Sequence, residues 1–171
     1  TGPAAVRYPR GKGPGAVIAH EMTAMEIGKA VTVREGRQVA ILAFGTVLAA
    51  ALQAGETLDA TVVDMRWVKP LDEELIMALA ASCELLVTVE DNAVAGGAGS
   101  GVHELLARHH IDTPCLHLGL PDSFIEHASQ EEQMGLLGLD GEGIVGSVRE
   151  RLAGGDLVGQ GLKQSAVPVM G

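Results

Sequence analysis

Apolar residues along this chain fall into short runs separated by amphipathic stretches of about a helix's length. Residues 29–33, Lys-Ala-Val-Thr-Val, and 38–44, Gln-Val-Ala-Ile-Leu-Ala-Phe, are two β-rich runs parted by Arg34-Glu35-Gly36-Arg37. A short Gly-containing break between such runs predicts a hairpin. After Phe44, Gly45-Thr46 opens a helical stretch to about Ala54. Then strands predicted at 60–64, 85–90 and 115–118 alternate with helices predicted at 72–81 and 101–109. Two closing helices, 130–137 and 142–152, follow. Ser129 stands in cap position ahead of Glu131-Glu132, and Val145, Val148, Arg149 and Leu152 recur at helical spacing.

Strand–helix alternation calls for parallel strands joined by right-handed crossovers, and the opening hairpin adds an antiparallel strand at an edge. The expected fold is α/β, a three-layer α/β/α sandwich around a mixed five-stranded sheet with one antiparallel edge strand. Residues 1–28 read differently. Thr1 to Arg7 looks like the end of a strand with nothing before it to pair with, and the prolines and glycines that follow read as a linker. The expected division is therefore 1–28 as the end of a preceding domain plus linker, 29–153 as the α/β domain, and 154–171 as a mobile tail.

Composition narrows the class. With 171 residues, 47% of them hydrophobic and only 2% aromatic, the core must be built from Ala, Val, Leu and Ile. Twelve Lys and Arg against 22 Asp and Glu leave a formal charge of -10, which repels a nucleic-acid backbone. No apolar run approaches the length of a membrane span and no export leader stands at the start, so a cytoplasmic location with no membrane partner is expected. Cys83 and Cys115 sit in apolar settings as small core residues.

Chemistry in an open α/β sheet is sought at the carboxyl ends of the parallel strands. The residues falling there are Gly45 and Thr46, Asp64 and Arg66, Glu90 to Asn92, and Gly119 to Asp122. The glycine-rich stretch from Gly96 to Gly101 misses the G-x-G-x-x-G spacing of a dinucleotide site and lacks the Lys-Ser/Thr ending of a nucleotide loop. Two readings of it stay open: glycines that let a helix approach the sheet and turn the chain, or an anion site or subunit contact. Asp72, Glu73 and Glu74 suit the first turn of a helix, and Asp64 with Arg66 suits an ion pair that fixes the loop, or an interface contact. The six histidines show no zinc-ligand spacing, and His117 reads as a hydrogen-bonded core residue. No catalytic residue and no metal site is expected within this segment. Arg7 and Arg10 flank the rigid Pro9; such a pair suits a bidentate grip on phosphate, or is a surface pair beside a linker.

Four strings carry a resemblance: Val6-Arg7-Tyr8-Pro9-Arg10-Gly11; Val62 to Asp72 with Arg66-x-x-Lys69-Pro70-Leu71-Asp72; Glu90-Asp91-Asn92 with Gly96-Gly97-Ala98-Gly99-Ser100; and Gly119 to His127. In this order, from about Arg7 to Leu152, they resemble the 1-deoxy-D-xylulose-5-phosphate synthase family, in its carboxyl-terminal, transketolase-type domain with the end of the preceding pyrimidine-binding domain. The resemblance implies a parent transferase, dependent on thiamine diphosphate and magnesium, that decarboxylates pyruvate and condenses the two-carbon unit with glyceraldehyde 3-phosphate. The product, 1-deoxy-D-xylulose 5-phosphate, feeds isoprenoid and thiamine biosynthesis. It further implies a cytoplasmic homodimer whose cofactor and metal are held by the two preceding domains, with none bound by this segment alone. Arg7 matches the family's sugar-phosphate ligand, and Arg10 is a second candidate. The segment would then serve as scaffold and dimer interface, inactive alone. The alternative is a free-standing interaction module of the same fold, as in the β subunits of 2-oxo-acid dehydrogenases.

Overall fold

Val39–Phe44 (β2) is buried along its whole length, the mark of a central strand covered on both faces. Its odd-numbered residues Val39, Ile41 and Ala43 enter one core and its even-numbered Ala40, Leu42 and Phe44 the other, as the strand period of two requires. The structure, a computed structural model, describes residues 2–6, 8, 20–21 and 23–154.

Around β2 the chain lays down Val31–Arg34 (β1), Leu48–Leu58 (α1, after a short 3-10 turn at Gly45–Val47), Thr61–Asp64 (β3), Glu73–Ser82 (α2), Leu85–Ala93 (β4), Ala98–Arg108 (α3), Cys115–Leu120 (β5), Gln130–Leu136 (α4) and Gly141–Leu152 (α5). The strands form one sheet in the order β1-β3-β2-β4-β5. β2 is parallel to β3 on one side and to β4 on the other, β4 is parallel to β5, and β1 is antiparallel to β3 at the edge. The expected mixed five-stranded sheet is thus the observed one. One face is covered by the 3-10 turn, α1 and α5, through Val47, Ala51, Ala54, Ile144, Val145 and Val148, with Met134 and Leu137 at its margin. The other is covered by α2 and α3, through Ile76, Ala80, Val102, Leu105 and Leu106.

The expected hairpin does not form. β1 and β2 are adjacent in sequence, but β3 lies between them in the sheet. The connection instead wraps around the start of β3: Gly36 N–H donates to Thr61 Oγ1 at 3.0 Å and Arg37 N–H donates to Asp59 O at 2.6 Å. A Cβ at Gly36 would run into the backbone of Ala60, so the glycine serves a close crossing rather than a two-strand turn. Arg34 reinforces it, donating to Ala60 O at 2.6 Å and to Asp59 Oδ1 at 3.0 Å.

Two boundaries also differ from expectation. β4 continues past Glu90 to Ala93, and α3 begins at Ala98, taking Gly99 and Gly101 inside the helix. At the start of the chain, residues 2–6 and 8 form no strand and are exposed. The expected tail lies almost wholly outside the described residues.

Candidate functional site

The strand order places a reversal beside β2. From β2 the chain leaves through α1 to β3 on one side, and from β4 it leaves through α3 to β5 on the other, with α1 and α3 on opposite faces. Connections that diverge in this way leave a crevice outside the carboxyl ends of the two strands. An open cleft of about 410 Å³ occupies this point, lined among others by Phe44, Gly45, Arg66, Val68, Asp91 and Asn92. Of the positions picked out along this edge, Thr46, Asp64 and Gly119 to Asp122 do not line it.

Glu90 forms the cleft's floor, and its carboxylate is buried at 2% exposure. Oε2 accepts from Ala98 N–H at 2.7 Å and Oε1 from Gly99 N–H at 2.9 Å, with Asn92 Nδ2 at 3.4 Å from Oε2. The open N–H groups and positive end of α3 are therefore satisfied by a carboxylate of the same chain. That tells against the anion-site reading of the glycine stretch. A Cβ at Gly99 would stand 2.5 Å from Thr88 Oγ1 and 2.7 Å from His117 Nδ1, so this glycine lets α3 rest on the sheet. The expectation of close helix approach holds, and the helix end offers no vacant seat for an outside anion.

The remaining edge residues pair with one another. Thr46 Oγ1 donates to Asp91 Oδ2 at 3.1 Å. Arg66 donates to Asp64 through its backbone N–H at 3.2 Å and through Nε at 3.4 Å, in a left-handed backbone conformation with φ of 55°. The expected ion pair is present. Asp72 caps α2 by accepting from Leu75 N–H at 3.3 Å and also accepts from Ala30 N–H at 3.0 Å, so it is structural. Pro70 stands outside the helix, two residues before this cap.

Behind α3 lies a polar group that sequence reading did not assemble. Thr88 Oγ1 and His117 Nδ1 are hydrogen-bonded at 2.7 Å, Cys115 Sγ is 3.9 Å from the same nitrogen, and the His103 ring meets that of His117 edge-on at 5.8 Å. The two-residue spacing of Cys115 and His117 was the available signal, since it puts both on one face of β5. Burial, followed by the nearby His103, holds the His117 pKa below the usual histidine value, against an opposing pull from Glu90. Burial also pushes the Cys115 thiol up to about 12, so this cysteine is no thiolate nucleophile at neutral pH. Among the described residues no group of three or more His, Cys, Asp or Glu is placed to hold a metal ion. None of their helices is long and apolar enough to cross a membrane. Arg7 and Arg10 lie outside the described residues.

This fold, a mixed five-stranded sheet with helices on both faces, is shared with known proteins. The family described as "Transketolase, C-terminal domain" matches residues 28–144. The chain belongs to the transketolase C-terminal domain family. A solved structure described as "Split gene transketolase, inactive beta4 tetramer" superposes with a TM-score of 0.71 at 33% identity, covering 77% of this chain and 44% of that one. Within this family, the 1-deoxy-D-xylulose-5-phosphate synthase of Pseudomonas fluorescens is 60% identical over 152 residues, 89% of this chain and 24% of that protein. That of Thioalkalivibrio sulfidiphilus is 62% identical over 151 residues, again 24% of its length. The transketolase-type domain described here thus spans about a quarter of these curated relatives.

Proposed function

We propose that this chain is the carboxyl-terminal part of a thiamine-diphosphate-dependent 1-deoxy-D-xylulose-5-phosphate synthase, a cytoplasmic homodimer that condenses pyruvate with glyceraldehyde 3-phosphate and releases CO2. The observation that carries this reading is the 60% identity over 152 residues to a protein of that name. The domain's own task is scaffold and interface. Residues 1–28 are proposed as the end of a preceding domain with its linker.

Thiamine diphosphate, when bound, supplies the electron sink for decarboxylation. The described residues do not fit it. The helix terminus best placed to hold a diphosphate is filled by the Glu90 carboxylate, and no set of carboxylates stands ready for magnesium. Cofactor and metal are proposed to be held by the two preceding domains of the enzyme. Arg7, with Arg10 as second candidate, is proposed to grip the phosphate of glyceraldehyde 3-phosphate, because an arginine fork matches a phosphate's oxygens.

The test is an assay of CO2 release and 1-deoxy-D-xylulose 5-phosphate formation, made with the complete enzyme and with the 171-residue chain alone. Activity confined to the complete enzyme is expected. Arg7→Ala in that enzyme is expected to raise the KM for glyceraldehyde 3-phosphate while the pyruvate half-reaction stays largely intact, since only the acceptor carries phosphate. A complete enzyme without synthase activity would sink the reading and favour the free-standing interaction module.

A further inference from the structure

We propose that His117 is a proton-sensitive catch for the start of α3, holding it on the sheet while the imidazole is neutral and releasing it as the ring gains a second proton. The geometry is the first support. His117 lies on β5, and its Nδ1 is hydrogen-bonded at 2.7 Å to Oγ1 of the fully buried Thr88 on β4. The first half of α3 rests on this pair. A Cβ at Gly99 would stand 2.5 Å from Thr88 Oγ1 and 2.7 Å from His117 Nδ1, and the His103 ring meets the His117 ring edge-on at 5.8 Å. Lifting the start of the helix therefore returns the imidazole to water.

Charge is the second support. Among the described residues the titratable groups facing the imidazole are His103 from α3, Glu90 from β4 and Cys115 on its own strand. Cys115 stays a neutral thiol, its pKa pushed up to about 12 by burial. A second proton makes both ring nitrogens donors and sets a cation beneath the helix. Charge on His103 repels that cation, which bears on α3 directly. Glu90 is attracted to it, and this carboxylate is the one that holds the Ala98 and Gly99 N–H groups. Its Oε1 and His117 Nδ1 border the same point beside Gly99, 3.3 and 2.7 Å from where a Cβ would stand. Repulsion from His103 and competition for Glu90 both loosen the helix start. Burial, then His103, holds the folded His117 pKa below 6.5. Above 6.5 the ring is neutral whether α3 is seated or lifted, and the catch is closed. As pH falls from there toward the folded value, the lifted state binds the proton first, so opening gains at most about tenfold per pH unit. Gly96, Gly97 and Ala98, which line the cleft, loosen with it.

The experiment is native-state amide hydrogen exchange of the 15N-labelled 171-residue chain between about pH 7.5 and pH 5, read as protection factors to remove the intrinsic pH dependence of exchange. The Ala98 and Gly99 amides are expected to exchange by a local opening, with less protection than Ile41 and Leu42 of β2. Their protection is expected to fall below the ordinary histidine pKa by up to about tenfold per pH unit. His117→Gln cannot take the proton and is expected to flatten that fall. His103→Gln removes the like charge, leaves the Thr88 bond in place and is expected to make the fall smaller. It keeps the proposal testable if His117→Gln misfolds. Protection at Ala98 and Gly99 that equals that of Ile41 and Leu42 at every pH, that is constant with pH, or that falls as far in either variant as in the parent overturns the proposal.

Discussion

The Glu90 carboxylate accepts a 2.9 Å hydrogen bond from the backbone N–H of Gly99, nine residues ahead of it and the second residue of a helix packed on its own strand. With the second bond from Ala98, a single buried side chain ties the end of β4 to the start of α3. Its negative charge faces the positive helix end, so charge and hydrogen bonding act together. Glu90→Gln keeps the shape but loses the charge and turns an amide donor toward one of the two N–H groups. The expected cost is about 2 kcal/mol, because a buried charge-assisted bond is replaced by a clash of donors. Urea unfolding checks it. A midpoint equal to the parent's, at equal slope, would mean that the carboxylate does not hold the helix.

Gly99 and Gly101 lie on the same helix and answer oppositely to alanine. In a helix interior Gly→Ala ordinarily stabilises by up to about 1 kcal/mol. At Gly101 an added Cβ meets only Leu71 Cδ1 at 3.5 Å, an ordinary contact. Gly101→Ala is therefore expected to be neutral or stabilising. At Gly99 the added carbon would press on Thr88 Oγ1 at 2.5 Å and His117 Nδ1 at 2.7 Å. Overpacking wins there, and Gly99→Ala is expected to destabilise by about 1–3 kcal/mol. Thermal or urea unfolding of the two variants side by side decides it, and a stabilised Gly99→Ala would refute the packing role.

This contrast shows which parts of the molecule could be read in advance. Strand and helix positions were legible because each is written locally, in the unbroken apolar run of Val39 to Phe44 or in the Ser129–Glu132 capping box. The partner of β1 was not. Residues 34–37 look like a hairpin turn, and only the contacts of Gly36 with Thr61 and of Arg37 with Asp59, more than twenty residues away, direct the chain around β3. The same holds at the cleft. Its residues were identifiable from their places at strand ends, whereas the capture of α3 by Glu90 needed the fold, since nothing local distinguishes a buried glutamate from a solvated one. Arg7 and Arg10, proposed as phosphate ligands, lie outside the described residues.

Asp72 joins two segments that are distant in sequence. One carboxylate oxygen caps α2 through Leu75, the other accepts from Ala30 just before β1, and Lys29 Nζ lies 3.7 Å from the first. Asparagine caps helices about as well as aspartate but offers one acceptor oxygen where Asp72 uses two. Asp72→Asn is therefore expected to retain the cap and lose the Ala30 tie, at a cost of about 1 kcal/mol, while Asp72→Ala loses both and costs about 2 kcal/mol. Chemical denaturation of the pair checks the order. Equal losses would assign the whole effect to the cap.

His117 sets the sign of one pH dependence. Burial and then the neighbouring His103 lower its pKa, with Glu90 pulling weakly the other way. An unfolded histidine takes up its proton near 6.5, whereas folded His117 does so only at lower pH. Above 6.5 it is neutral in both states and the Thr88 hydrogen bond contributes in full. As pH falls through 6.5 toward the folded value, the unfolded chain binds the proton first, so this contribution is progressively lost. The parent is expected to lose stability between about pH 7 and pH 5 more steeply than His117→Gln, the other histidines being common to both. The imidazole resonance of His117 is expected to titrate below the ordinary histidine value, and to move upward in His103→Gln as the like charge is removed. An unshifted resonance, or parallel pH profiles for parent and variant, would show that the imidazole is solvated rather than held against Thr88.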